Sequence, residues 1–237
     1  LLPLYVEAVL DRKDLWTGVG RPPCDLYDIL ICLTVKEYFT LSLRRCIGLL
    51  NTFRMLQVLN IKVPCFKTLD NYLHDDSLCK YVKNLMTLTS NVFSSIEKHM
   101  ATDATGIGTT CYSSWYSIRV CKKSRKRDHL MVHITIGTRS NTVIALDVRT
   151  KPGNDNEIFR AHVKHANRYF HVEDWSADSA YLSRENCNAV SKIGANPWFR
   201  LKSNTTAKPK SSVSWKHMVL ITKEQPEIAK PKYHIRS

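Results

Sequence analysis

The stretch HLMVHITIGTRSNTVIALDVRT, residues 129–150, decides the fold. Two runs rich in β-branched residues alternate with polar ones around TRSNT, residues 138–142, which is the signature of a β-hairpin. Alternation of this kind turns one face of each strand to a core. Upstream, HMATDATGIGTT (99–110) is a short β-prone run. Downstream, NDNEIFRAHVKHANRYF (154–170) and SRENCNAVSKIG (183–194) read as helices, and HVEDWSAD (171–178) and ANPWFRLK (195–202) as strands. The order β-β-β-α-β-α-β predicts an α/β fold: a mixed sheet flanked by helices.

Residues 1–98 have a different period. In DLYDILICLTVKEYF (25–39) the apolar Leu26, Ile29, Leu30 and Leu33 recur at helical spacing, with Asp25 placed to cap. SLRRCIGLLNTFRML (42–56), VPCFKTLDNYL (63–73) and a long segment from Ser77 follow, with Pro64 as the breaker between the second and third. Short helices near Arg44, Arg45, Lys62 and Lys67 suit a helix-turn-helix-like DNA module. A plain helical bundle with solvated basic side chains is the competing reading of the same residues, and the basic charge of the whole chain favours the DNA module. Past residue 203 the pattern decays into polar, turn-rich SNTTAKPKSSVSW, and the tail carries Pro226 and Pro231. The expected organisation is a helical, DNA-binding region over 1–98, a sheet domain over 99–218 and an irregular tail over 219–237.

The chain of 237 residues carries 35 Lys and Arg against 21 Asp and Glu, a net charge of +14. Such an excess points to a polyanion, of which nucleic acid is the usual one. The eight cysteines form no CxxC pair, which disfavours a zinc ribbon or a redox motif and implies a reducing, cytoplasmic setting, nucleoid-associated given the charge. The longest apolar region, LYDILICLTV, is cut by Asp28 and is too short to span a bilayer, so no membrane partner is expected. No signal peptide is visible, and an opening Leu rather than Met suggests a fragment.

Two acids share a description. Asp103 lies inside the run ATDATGIG, and Asp178 ends a strand in WSADSAY. Aspartate is disfavoured within a strand and needs a partner when buried. At the start of a helix it also serves as a cap, so Asp178 has both readings. Two carboxylates on adjacent strands repel unless a cation sits between them, and hard oxygen ligands suit Mg²⁺ or Mn²⁺.

These segments resemble the insertion-sequence transposases of the DDE class, whose catalytic core is RNase H-like. The resemblance runs from about residue 20 to 218 through ATDATGIG, the Tyr- and basic-rich YSSWYSIRVCKKSRKRDHLMVHI, TKPGNDNEIF, ADSAYLSRENC and SKIGANPWFRLKSN. It implies an RNase H-like mixed sheet preceded by the all-helical region. It also implies that Asp103 and Asp178 are the first two catalytic acids and ligands of Mg²⁺ or Mn²⁺. The implied activity is cleavage and strand transfer at the ends of a mobile element, with the double-stranded DNA of its terminal repeats as partner and room for a homodimer. The family's third acid is a Glu on a later helix. No acid occurs between Glu185 and Glu224, and Glu224 and Glu227 stand in the proline-bearing KEQPEIAKPK, so the core is expected to be incomplete. A DNA-binding relic without catalysis, and an RNase H-like nuclease acting on another nucleic acid, are the alternative functions.

RVCKKSRKR places Arg119, Lys122, Lys123, Arg125, Lys126 and Arg127 together, just after Tyr112, Trp115 and Tyr116. Cations beside stacking rings suit phosphate contacts, although a solvated loop has the same composition. Lys202 belongs to a second, acid-free basic span that also holds Lys192, Arg200, Lys216 and Lys223. The pairs His129/His133 and His162/His165 lack cysteine or carboxylate neighbours at zinc spacing. Asp155 and Glu157 read as helix-start acids favoured by the macrodipole.

Overall fold

A computed structural model describes residues 2–10, 22–108, 129–149, 155–207 and 212–233. Two compact units divide the chain, Leu1–Thr89 and Ser90–Ser237. The first is helical: α1 Leu2–Val9, α2 Leu26–Tyr38, α3 Leu43–Met55, α4 Phe66–Leu73 and α5 Cys79–Asn91, the last running just into the second unit. Asp25 caps α2 by accepting the Tyr27 N–H, as its placement before the apolar stripe predicts. Ile29, Ile31, Cys32, Cys46, Leu50 and Leu69 are fully buried and make the core of this unit. The two cysteines behave there as small apolar residues.

The second unit is a mixed five-stranded sheet. Its strands are β1 His99–Gly108, β2 His129–Gly137, β3 Val143–Arg149, β4 Asp174–Ala177 and β5 Asn196–Phe199, in the order β3-β2-β1-β4-β5. β1–β2 and β2–β3 are antiparallel, whereas β1–β4 and β4–β5 are parallel. The parallel strands need crossovers, and helices α6 Asp155–Ala166 and α7 Arg184–Lys192 supply them. Met100, Phe159, Trp175, Tyr181, Cys187, Val190 and Phe199 form the core between sheet and helices. This is the expected RNase H-like layer arrangement, a mixed sheet flanked by helices and preceded by a helical region.

The hairpin of β2 and β3 is tied down by an acid. Glu97 is fully buried, and its carboxylate accepts the backbone N–H groups of Arg139 and Ser140 in the turn. Gly137 makes room for it: a Cβ there would lie 2.5 Å from Glu97 Oε2.

The expected irregular tail over 219–237 is corrected. Helices α8 Val213–Glu224 and α9 Pro226–Tyr233 occupy its described part. Pro226 is the first residue of α9, where a missing N–H costs nothing, and Pro231 falls only in the last turn. A proline breaks a helix only from its interior turns, and neither of these two stands there. Lys232 on α9 then reaches the buried Asp174 of β4, Nζ to Oδ2 at 2.6 Å. Among the described residues, no helix is long and apolar enough to cross a membrane.

Candidate functional site

The site follows from the parallel register. Thr102 of β1 pairs with Ala177 of β4, and Ala177 with Phe199 of β5. Asp103, Asp178 and Arg200 each stand one residue beyond that row: Asp178 and Arg200 directly follow β4 and β5, and Asp103 lies midway along β1. Residues level with one another in parallel strands share a face, so this register puts the two aspartates and the arginine at one level on neighbouring strands. Open parallel sheets bind their ligands outside the carboxyl ends of their strands, which is where Asp178 and Arg200 stand.

Each acid is held locally. Asp103 Oδ1 accepts the Ala104 N–H at 2.9 Å, and the side chain is exposed. Asp178 is half-buried and caps the 3₁₀ turn Ser179–Tyr181 by accepting the Ser179 N–H. The cap reading of Asp178 is therefore correct for its local structure, and it does not compete with a place at the strand end. Arg200 and Lys202 are exposed just after β5, and the Arg200 N–H donates to the Ala177 carbonyl at 3.2 Å.

Behind the acids lies a buried polar layer. Trp175 Nε1 donates to Thr102 Oγ1 at 2.9 Å, Thr102 bonds Thr135 at 2.7 Å, and Thr135 bonds His162 Nδ1 at 2.8 Å. His162 Nε2 meets Asp147 Oδ2 at 3.2 Å. Burial pulls the His162 pKa down against the opposing pull of Asp147, favouring the neutral ring. Beside this chain, His133 Nδ1 bonds the Tyr181 hydroxyl at 2.8 Å. Burial and the charges of Asp155, Asp103 and Asp178 push the Tyr181 pKa far up, so its hydroxyl stays protonated.

The expectation of Mg²⁺ or Mn²⁺ is corrected by this geometry. Among the described residues, no group of three or more His, Cys, Asp or Glu side chains comes together to hold a metal ion. Asp103 and Asp178 each accept a neighbouring backbone N–H, while Asp147 and Asp155 face His162 and His133. Two carboxylates so engaged leave most of an octahedral shell without protein ligands. Glu224 and Glu227 are exposed, at the end of α8 and in the first turn of α9. Neither joins the pair in such a cluster.

Of the expected DNA-contacting residues, Lys202 is described and exposed in the segment after β5. Arg119, Lys122, Lys123, Arg125, Lys126 and Arg127 lie outside the described residues, as do Tyr112, Trp115 and Tyr116. In the sequence Arg200 is one cation of a basic span and His133 half of a poor zinc pair. The signal that singles them out is strand pairing, which a linear chain does not display.

No curated protein matches the chain. Among solved structures, a chain of the simian T-cell lymphotropic virus intasome in complex with the PP2A regulatory subunit B56 gamma is similar at 15% identity, with a TM-score of 0.31. The likeness covers 54% of this chain and 39% of that one. A model of the family described as "Transposase DDE domain" matches residues 94–236, more than half of the chain. The matched segment takes in all five strands, Asp103, Asp178 and the helical tail, and with it the chain belongs to the transposase DDE domain family.

Proposed function

We propose that this chain acts on DNA as a transposase, with Asp103 and Asp178 as its acids for cleavage and strand transfer at the ends of a mobile element. The observation that carries the reading is the register of β1 against β4, one residue short of both aspartates. A carboxylate at this level accepts the proton of an attacking water or 3′-hydroxyl in an in-line displacement at phosphorus. As the new P–O bond forms, the old one breaks and the leaving oxygen departs on the opposite side. Arg200 and Lys202 supply positive charge where the phosphate would lie, and a cation aimed at developing negative charge lowers the barrier. The net charge of +14 and the 119–127 tract support a duplex-DNA partner held through its phosphates.

Nicking and end-joining of duplex DNA by the wild type, Asp103→Asn and Asp178→Asn test the reading. Either substitution should cut the rate at least about a hundredfold. DNA affinity should hold or rise, because a negative charge next to phosphate is removed. Cleavage that survives either change would exclude that aspartate from the chemistry. A second reading, a DNA-binding relic without catalysis, is favoured by the absence of a third acid grouped with the pair among the described residues. Tight DNA binding with no cleavage by the wild type would select it.

A further inference from the structure

Tyr181 is held at three points. It ends the 3₁₀ turn that follows Asp178, and its N–H donates to the Asp178 carbonyl at 3.1 Å. Its own carbonyl accepts from Asn186 Nδ2 at 2.8 Å. Its hydroxyl bonds His133 Nδ1 at 2.8 Å, and both residues are 1% exposed. His133 stands in β2 opposite Ala104, the residue after Asp103. On its far side, His133 Nε2 lies 3.7 Å from Asp155 Oδ1, at the start of α6.

We propose that His133 and Tyr181 are positioning residues that tie the turn carrying Asp178 to the strand pair carrying Asp103. The inference rests on the reading of those two aspartates as the acids of the site. The connection is short: Asp178 to Tyr181 along the turn, Tyr181 to His133 through one hydrogen bond, then across the ladder to Ala104 and Asp103. Packing alone does not call for the hydroxyl. The Tyr181 ring already lies against Phe159, with centroids 5.5 Å apart, and phenylalanine would fill the same space. A buried hydroxyl and a buried imidazole are costly unless they satisfy each other. The acceptor-only carboxylate of Asp155 lies on the Nε2 side of the ring and favours the tautomer with its proton there, in which Nδ1 accepts from the Tyr181 hydroxyl. Asp155 thereby selects the tautomer by charge, and the imidazole holds the turn through its bond to Tyr181. The strand end alone gives Asp178 its address, and this link gives it its aim.

Hydrogen exchange of the Tyr181 and Leu182 amides in the full chain, read beside the DNA assay, tests the proposal. Tyr181→Phe should exchange both amides at least about tenfold faster while the β2–β3 hairpin amides keep their rates. His133→Leu should match it. His133→Asn should retain slow exchange, because its amide takes the place of Nδ1. In DNA cleavage, Tyr181→Phe should lower kcat by about 10- to 100-fold with KM unchanged, the cost of a misplaced reacting group. Unaltered exchange in Tyr181→Phe overturns the proposal whatever the DNA assay shows, and this variant carries the test if the His133 variants fail to fold. Faster exchange with unaltered kcat in a cleaving enzyme also overturns it. Full cleavage by Asp103→Asn and Asp178→Asn would instead strike the functional reading, and the exchange data would still decide whether the link holds the turn.

Discussion

Glu97 shows how one side chain sets the geometry around it. A fully buried carboxylate accepts two turn N–H groups, and only a glycine at position 137 leaves it space. Gly137→Ala would place a Cβ 2.5 Å from an oxygen that cannot swing away without abandoning those N–H groups. We expect the substitution to cost about 1–3 kcal/mol, as overpacking of a filled site does, measured by denaturant unfolding. Glu97→Ala should cost a similar amount, about 1–3 kcal/mol, by leaving buried turn donors unpaired. If Gly137→Ala recovers stability in the Glu97→Ala background, the clash is confirmed as the cause. The same reasoning, a polar group held from two sides, underlies the assignment of His133 and Tyr181.

At the scale of elements, α9 is fastened to the sheet by charge. Asp174 in β4 is buried, and it accepts from Lys232 Nζ at 2.6 Å and from Trp198 Nε1 at 2.7 Å, with His99 Nδ1 3.0 Å away. Burial pushes its pKa up, but the Lys232 and Trp198 hydrogen bonds and the neighbouring positive charges outweigh it and hold the carboxyl below its ordinary value. A carboxylate with a depressed folded-state pKa contributes stability above its unfolded pKa of about 3.9. That contribution is lost as pH falls through the lower, folded value. Thermal melts should therefore show wild type losing stability below about pH 4, with Asp174→Asn less stable at pH 7 and flatter on the acid side. Lys232→Met should cost about 1–3 kcal/mol at neutral pH, less than a fully buried pair because the lysine is half exposed to solvent. A pH profile for Asp174→Asn that parallels wild type would remove Asp174 as the source of the acid sensitivity.

For the whole molecule, the relevant quantity is its charge. A net +14 chain that binds duplex DNA through phosphates should lose affinity steeply with salt, each neutralised phosphate contributing about −0.9 to the slope of log K against log salt. Replacing Lys122, Lys123, Arg125 and Lys126 with Ser should shallow that slope by up to about 3–4 if all four meet phosphates. Fluorescence anisotropy across a salt series measures it. An unchanged slope would mean that the tract faces solvent and that other cations, such as those of the helical unit, carry the binding.

Local sequence determined the elements. The alternation of 129–150 specified the β2–β3 hairpin, the apolar stripe behind Asp25 specified α2, and the acids at 155 and 157 marked the start of α6. These are properties of neighbours in the chain, so period and capping chemistry report them directly. The sequence also singled out Asp103 and Asp178, because an aspartate in or just after a β-prone run is conspicuous wherever it occurs. It misjudged the tail, since a proline ends a helix or begins one according to where the helix starts, and packing on the sheet decides that. Tertiary structure alone decided strand order. Only the pairing of β1 with β4 and of β4 with β5 sets Asp103, Asp178 and Arg200 level, and only the pairing of β1 with β2 brings His133 opposite Ala104, the residue after Asp103. It also decided that no third acid joins the pair among the described residues. Hydrogen bonds between segments tens of residues apart settle register, and no local pattern in the chain encodes which strands will meet.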